Sequence, residues 1–182
     1  MILQGYASLL SDLFPGTLFG VRVGGWDLFA RSRPEDINLS AFFLKNGACS
    51  RFTTLTDLAA YDRPGRENRF ALVYNFLSTR YRSRLFVRVE LPEGTAVPSA
   101  VSEHPSANWF EREAWDLVGI RFMGHPDLRR ILTDYGFEGH PLRKDFPLTG
   151  YIETRYDSSR ARVVYEPVEL AQDYRDFAFS SP

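Results

Sequence analysis

The stretch from Trp109 to Tyr156, WFEREAWDLVGIRFMGHPDLRRILTDYGFEGHPLRKDFPLTGYIETRY, governs the organisation of the whole chain. It opens as a short helix. Between Asn108 and Val118, the residues Phe110, Ala114, Leu117 and Val118 form an apolar stripe, and Gly119 stops it. Beyond Phe122 the periodicity disappears. Pro126, Gly136, Gly139, Pro141, Pro147 and Gly150 leave room for one turn of helix over 127–132 and a brief strand at Val163-Val164-Tyr165, but for no long element. Yet the region is rich in large aromatics: Tyr135, Phe137, Phe146, Tyr151, Tyr156, Tyr165, Tyr174, Phe177 and Phe179. Such a composition argues against disorder. Roughly sixty residues of mostly irregular chain also far exceeds an ordinary connection of ~4–6 residues. So many backbone groups outside ladders need a surface to lie on. The expected division is a core at 1–120 and an extended docking arm at 121–182. The aromatics would anchor in pockets of another chain, with arginines making polar contacts around them.

Upstream, Leu3, Tyr6, Leu9, Leu10 and Leu13 fall at helical spacing, and Pro15-Gly16 ends that helix. Residues 17–22 and 26–31 flank Gly24-Gly25 as a tight hairpin. A short helix over 39–45 carries Gly47 as its C-terminal cap. Three strands follow, at 52–58, 69–78 and 84–91. The second alternates Phe70, Leu72, Tyr74 and Phe76; the third turns Leu85, Val87, Val89 and Leu91 inward. The short connector at 79–83 suits an antiparallel hairpin, with Arg80 and Arg82 discouraging stray edge pairing. Pro98 and Pro105 each begin a helical turn. The expected fold is α+β: a mostly antiparallel sheet flanked by helices, followed by a long irregular C-terminal arm that packs on partner subunits.

Composition narrows the function. A net charge of -1 gives no overall field toward nucleic acid or an anionic membrane. Lys45 and Lys144 are the two lysines among 22 Lys+Arg, which leaves 20 arginines, suited to bidentate pairing with carboxylates. Cys49 is the single cysteine, so this chain holds no disulfide framework and no Cys-ligated iron–sulfur or structural zinc site. Its place at the start of an expected strand suggests packing. No apolar run approaches the ~18 residues of a membrane span. Met1 to Gly16 contains neither Lys nor Arg, unlike a signal or transit peptide, so a mature, organelle-encoded or bacterial chain is expected.

Candidate chemistry is thin. His125 and His140, with Asp127 and Asp134, lack the spacing of a metal site; both histidines precede proline and read as turn positions with backbone-satisfied rings. Glu111 and Glu113 lie on different helix faces, which suits capping or an interface ion pair. Arg112 and Asp116, four apart, would pair on the helix surface. Ser78, Thr133 and Thr149 have no neighbouring His and acid. Gly24-Gly25 lacks the spacing of a phosphate loop. The basic residues Arg129, Arg130, Arg143 and Lys144 are interleaved with Asp127, Asp134, Glu138 and Asp145, which favours ion pairs over a nucleic-acid patch.

Glu111-Arg112-Glu113, Asp116-Leu117-Val118, His125, Arg129 and Ile131-Leu132, at fixed gaps, resemble the signature of the thirty-kilodalton subunit (the C subunit) of respiratory complex I, the proton-pumping NADH:ubiquinone oxidoreductase. The run from Leu132 to Pro147 is similar to that family's second block. The likeness is dense from Ser106 to Tyr156 and softer back to Phe52. The resemblance implies a non-catalytic structural and assembly subunit of the peripheral arm, in the quinone module. Its partners would be the forty-nine-kilodalton subunit, which helps form the quinone site, and the small subunit carrying the terminal iron–sulfur cluster. NADH, FMN, iron–sulfur clusters and ubiquinone would be held by other subunits, with no catalytic, cofactor or metal residue here. The docking residues implied are Glu111, Arg112, Trp115, Asp116, His125, Arg129, Arg130, Asp134, Tyr135, Phe137, His140, Arg143, Lys144, Asp145, Phe146, Arg155 and Tyr156. The spelling of the second block points to the matrix side of the mitochondrial inner membrane, with the cytoplasmic face of a bacterial plasma membrane as the alternative. Two other readings stay open: a subunit of a related membrane-bound hydrogenase-type complex, and a self-standing α+β enzyme or small-molecule binder using the His125/His140 region.

Overall fold

The structure, a computed structural model, describes residues 2–172, 174, 175 and 177. Helix α1 (Ile2–Leu13) leads into the hairpin β1 (Phe19–Gly24) and β2 (Asp27–Ser32), then helix α2 (Ile37–Asn46). Strands β3 (Thr54–Asp62), β4 (Phe70–Ser78) and β5 (Ser83–Leu91) follow, then the short β6 (Val97–Pro98), helix α3 (Ala107–Val118) and the short β7 (Phe122–Met123). A last hairpin is made of β8 (Ile152–Asp157) and β9 (Arg162–Pro167). The chain divides into two compact units, Met1–Lys144 and Asp145–Pro182. The first therefore continues past residue 120, where the sequence reading placed the start of the arm.

In the first unit five strands form one sheet in the order β1-β2-β5-β4-β3. Three pairings are antiparallel, and β2 pairs with β5 in parallel, so the sheet is mixed. The parallel pair follows from connectivity. The chain leaves β2 through α2, builds β3 and β4, and returns with β5 into the gap beside β2. β4 and β5 are the central strands, and the alternation read from sequence holds there: Leu72, Tyr74, Phe76, Leu85, Val87 and Val89 are fully buried. One continuous core joins that face to Leu10 of α1, to Ile37, Ala41 and Leu44 of α2, and to Ala107, Ala114 and Val118 of α3. A sheet with one face against helices is a two-layer α+β solution.

Several local differences have physical causes. Leu55 and Leu58 are both buried although three residues apart, a spacing a regular strand forbids. The register shifts between Leu55 and Asp57, and this bulge resets the alternation. β3 then runs on to Asp62, four residues beyond the expected strand. Gly47 does cap α2, its N–H donating to the Phe43 carbonyl, but in an extended rather than left-handed conformation. Cys49 is exposed in the turn after α2 and packs in no strand. Pro98 begins no helical turn; with Val97 it pairs in parallel with β7. The helical turn expected over 127–132 is irregular chain, and the strand at Val163 has a partner, β8, that the sequence reading missed. Phe179 lies outside the described residues.

Candidate docking site

Helix α3 buries more than its apolar stripe. Glu111 and Asp116 are fully buried and Arg112 nearly so. A helix that takes charges inward must satisfy each of them there. The Asp116 carboxylate accepts the backbone N–H groups of Ile131 (3.1 Å), Leu132 (2.8 Å) and Thr133 (3.0 Å), the Thr133 hydroxyl (2.6 Å) and the Arg130 guanidinium (2.9 Å). Burial alone would raise its pKa. The bonds from Thr133, Leu132 and Arg130 outweigh that and hold the carboxyl well below the ordinary carboxylate range. Arg112 donates to the carbonyls of Arg129 and Arg130 and lies over the Trp109 ring. The expected Arg112–Asp116 surface pair is therefore absent: each residue binds the following loop instead.

The same loop is fixed further along. The His140 Nδ1 donates to the Asp116 carbonyl at 2.9 Å, which places the proton on Nδ1, since a carbonyl can only accept. Arg143 donates to the Val118 carbonyl (2.7 Å) and to Glu93 (2.8 Å), and it covers the Phe70 ring. The Lys144 backbone N–H donates to Asp62 at 2.8 Å, and Arg69 grips the same carboxylate through two bonds of 2.8 Å. The Arg69 hydrogen bond, against the opposing effect of burial, keeps the Asp62 pKa low. Gly119 makes this closure possible. Its φ of +85° suits glycine, and an added Cβ would stand 2.6 Å from both Arg143 and His140.

A second anchor sits on the other side of α3. Glu111 accepts from the Ser99 hydroxyl (2.6 Å) and the Ala100 N–H (2.7 Å), tying α3 to the segment after β6. Burial outweighs those bonds and raises its pKa to about 7. The His125 Nε2 lies 4.0 Å from Glu111 and 3.2 Å from the Asn108 carbonyl, while its Nδ1 accepts the Asp127 N–H. That arrangement places the proton on Nε2. Both imidazoles are thus held by backbone, as their positions before proline suggested, and neither faces an open site. Among the described residues no group of three His, Cys, Asp or Glu is placed to hold a metal ion.

The residues expected to dock on a partner therefore fall into two sets. Glu111, Arg112, Asp116, His125, Arg130, His140 and Arg143, with the Lys144 backbone, bind within their own unit. The cause is the burial of α3's charges, which recruits the loop's donors. Trp115 is half-buried edge-on to His140, and Phe137 lies under the Arg130 guanidinium. The rest face outward or belong to the second unit. Tyr135 is 99% exposed, and Asp134 caps its N–H. Arg129 is exposed and pairs with Asp127. In the second unit Asp145 is exposed and Phe146 stacks edge-on with Tyr151. Arg155 pairs with Glu166 through two bonds of 2.7 Å, and Tyr156 is exposed. Asp62 and Glu93 were missed as loop anchors. For Asp62 there was a signal: it continues the inward register of Leu58 and Ala60, and an acid in that register needs a partner.

Known proteins resemble this chain over most of its length. A family model described as respiratory-chain NADH dehydrogenase, 30 kDa subunit, matches residues 30–152. The chain is 52% identical over 180 residues to the NADH-quinone oxidoreductase C subunit of Dinoroseobacter shibae, covering 99% of this chain and 84% of that protein. It is 52% identical over 180 residues to the subunit of the same name from Rhodobacter capsulatus, covering 99% of this chain and 90% of that one. Its counterpart from Ruegeria pomeroyi is 59% identical over 162 residues, or 86% of this chain and 81% of that protein. In fold, a chain from the structure of the membrane-bound sulfane sulfur reductase, an archaeal respiratory membrane complex, superposes with a TM-score of 0.70 at 21% identity, covering 90% of this chain and 100% of that one. The relatives named are bacterial, so the mitochondrial placement finds no support among them. The interlocked α3 and loop, the mixed sheet beneath them and these matches lead to one conclusion: the chain belongs to the family of the 30 kDa subunit of respiratory-chain NADH dehydrogenase.

Proposed function

We propose that this chain is a structural and assembly subunit of the peripheral arm of a bacterial, proton-translocating NADH-quinone oxidoreductase, in its quinone module. The observation that carries the reading is the second unit. A two-stranded hairpin is marginal on its own in water, and here Leu148, Tyr151, Ile152, Tyr156, Val163 and Tyr165 all stand exposed. Such a unit requires a protein surface to cover it.

In this reading the first unit is a rigid block and the second a clasp. They hold the forty-nine-kilodalton subunit and the small subunit with the terminal iron–sulfur cluster in a fixed relation, so that electron tunnelling and quinone binding keep their geometry. NADH, FMN, the clusters and the quinone belong to the other subunits. The donor set of this chain does not fit a cluster, since Cys49 is its one thiol. No helix of the described residues is long and apolar enough to cross a membrane. The chain would sit peripherally, on the cytoplasmic face of the plasma membrane.

The test is purification of the tagged chain from membranes, with mass spectrometry of what accompanies it and NADH:quinone activity of the product. The reading expects the other peripheral-arm subunits at equal stoichiometry and an active complex. A chain recovered alone and soluble overturns it.

A further inference from the structure

The register of the last hairpin sorts its side chains onto two chemically distinct faces. Opposed residues in an antiparallel pair share a face. Ile152 lies opposite Pro167, Thr154 opposite Tyr165, and Tyr156 opposite Val163. The alternate positions pair Glu153 with Glu166, Arg155 with Val164, and Asp157 with Arg162. One face is therefore apolar and aromatic, and the other is charged. The apolar face is open. Ile152, Tyr156, Val163 and Tyr165 are 58–64% exposed; on the other face Glu153, Arg155 and Arg162 are exposed and Asp157, Val164 and Glu166 partly so.

Local bonds bias the hairpin toward this shape. Asp157 accepts the N–H and hydroxyl of Ser159 and the N–H of Arg160, which locks the turn. Arg155 and Glu166 cross-link the strands on the charged face. A bias of this kind lowers the entropy lost when the strands become ordered on a partner. The hairpin itself is balanced, with Glu153, Asp157 and Glu166 against Arg155, Arg160 and Arg162, so the charge that selects the partner is that of the whole second unit. Residues 145–182 carry seven carboxylates against four arginines and no lysine, a net of -3. That sign repels an anionic lipid surface, and it repels a second copy of the same unit.

We propose that the Ile152/Tyr156/Val163/Tyr165 face is laid against an apolar patch with a basic rim on a neighbouring polypeptide of the oxidoreductase, while the Glu153/Arg155/Glu166 face stays toward water. This rests on the function proposed above and names the docking face within it.

The test is made in the assembled complex. Photoreactive p-benzoylphenylalanine replaces Tyr165 on the apolar face or Arg162 on the charged face, and the purified complex is irradiated. Position 165 should cross-link to a different polypeptide at least about fivefold more than position 162, and the peptide reached should be flanked by Lys or Arg. In parallel, Tyr156→Ser with Tyr165→Ser should lower the amount of assembled complex about tenfold, whereas Glu153→Gln with Arg162→Gln should lower it less than twofold. Cross-links from 162 that equal or exceed those from 165 overturn the assignment, as do products from 165 that are lipid or a second copy of this chain. If the unaltered tagged chain brings down no other subunit, the function proposed above fails as well. If it copurifies normally and 165 reaches no polypeptide, only the face is wrong.

Discussion

Asp116 and Glu111 sit on one helix, are buried alike and respond to pH in opposite ways. The Asp116 carboxyl is held low by its donors, so its contribution is present at neutral pH and is lost as the solution becomes acid. Asp116→Ala strands the Arg130 charge and several backbone N–H groups, and it should cost about 3–5 kcal/mol in thermal or denaturant unfolding. Glu111 is raised to about 7 by burial, so its stabilisation is complete below the unfolded value of 4.5 and is lost as pH rises through about 7. Between pH 5.5 and 8.5 the protein should lose about 2–3 kcal/mol that Glu111→Gln does not lose, because glutamine keeps the Ser99 and Ala100 contacts without a charge. A melting curve that is flat with pH, or equal slopes for the two proteins, would contradict this account of Glu111. From sequence, both acids fell outside the apolar stripe of α3 and read as surface or interface charges. Hydrophobic periodicity cannot identify a buried charge, because burial here depends on donors supplied from residues 99–100 and 130–133.

The segment from Phe122 to Lys144 was legible in content but not in placement. Its prolines and glycines correctly ruled out long elements. What they could not show was that irregular chain can be ordered by its own helix, through Asp116, Val118 and Gly119. Residues 121–144 therefore belong to the first unit, and limited proteolysis can check this. Trypsin acting on the isolated chain should cut after Arg155, Arg160 and Arg162 at least about tenfold faster than after Arg130 or Arg143, whose side chains and backbone are engaged. A stable fragment ending near Val118 would restore the longer arm. The hairpin β8–β9 was half-read: Val163-Val164-Tyr165 gave a strand signal, whereas Ile152–Asp157, with Glu, Arg and Asp at alternate positions, looked polar. That alternation is the signature of a strand with one apolar face, hidden by the short length of the run. The sheet, by contrast, was largely visible, since β4 and β5 carry the alternation that burial demands; only the parallel β2–β5 pairing needed the three-dimensional path of the chain.

At the scale of the whole molecule, the chain is one self-sufficient unit followed by one that lacks a core of its own. In the proposed role the first unit is the block and the second the clasp, ordered on its partner. Substitutions in the two should therefore fail differently. Arg143→Ala should lower the stability of this chain itself, because Arg143 joins the loop to Val118 and Glu93. Replacing Tyr156 and Tyr165 should leave the melting of the isolated chain within about 0.5 kcal/mol of the parent and reduce only the amount of complex. The most direct measurement is amide hydrogen exchange along the sequence, on the isolated chain and on the purified complex. The account predicts that 121–144 is protected in both and that 145–172 gains protection only in the complex. Protection of 145–172 in the isolated chain, or of 121–144 only in the complex, would contradict it.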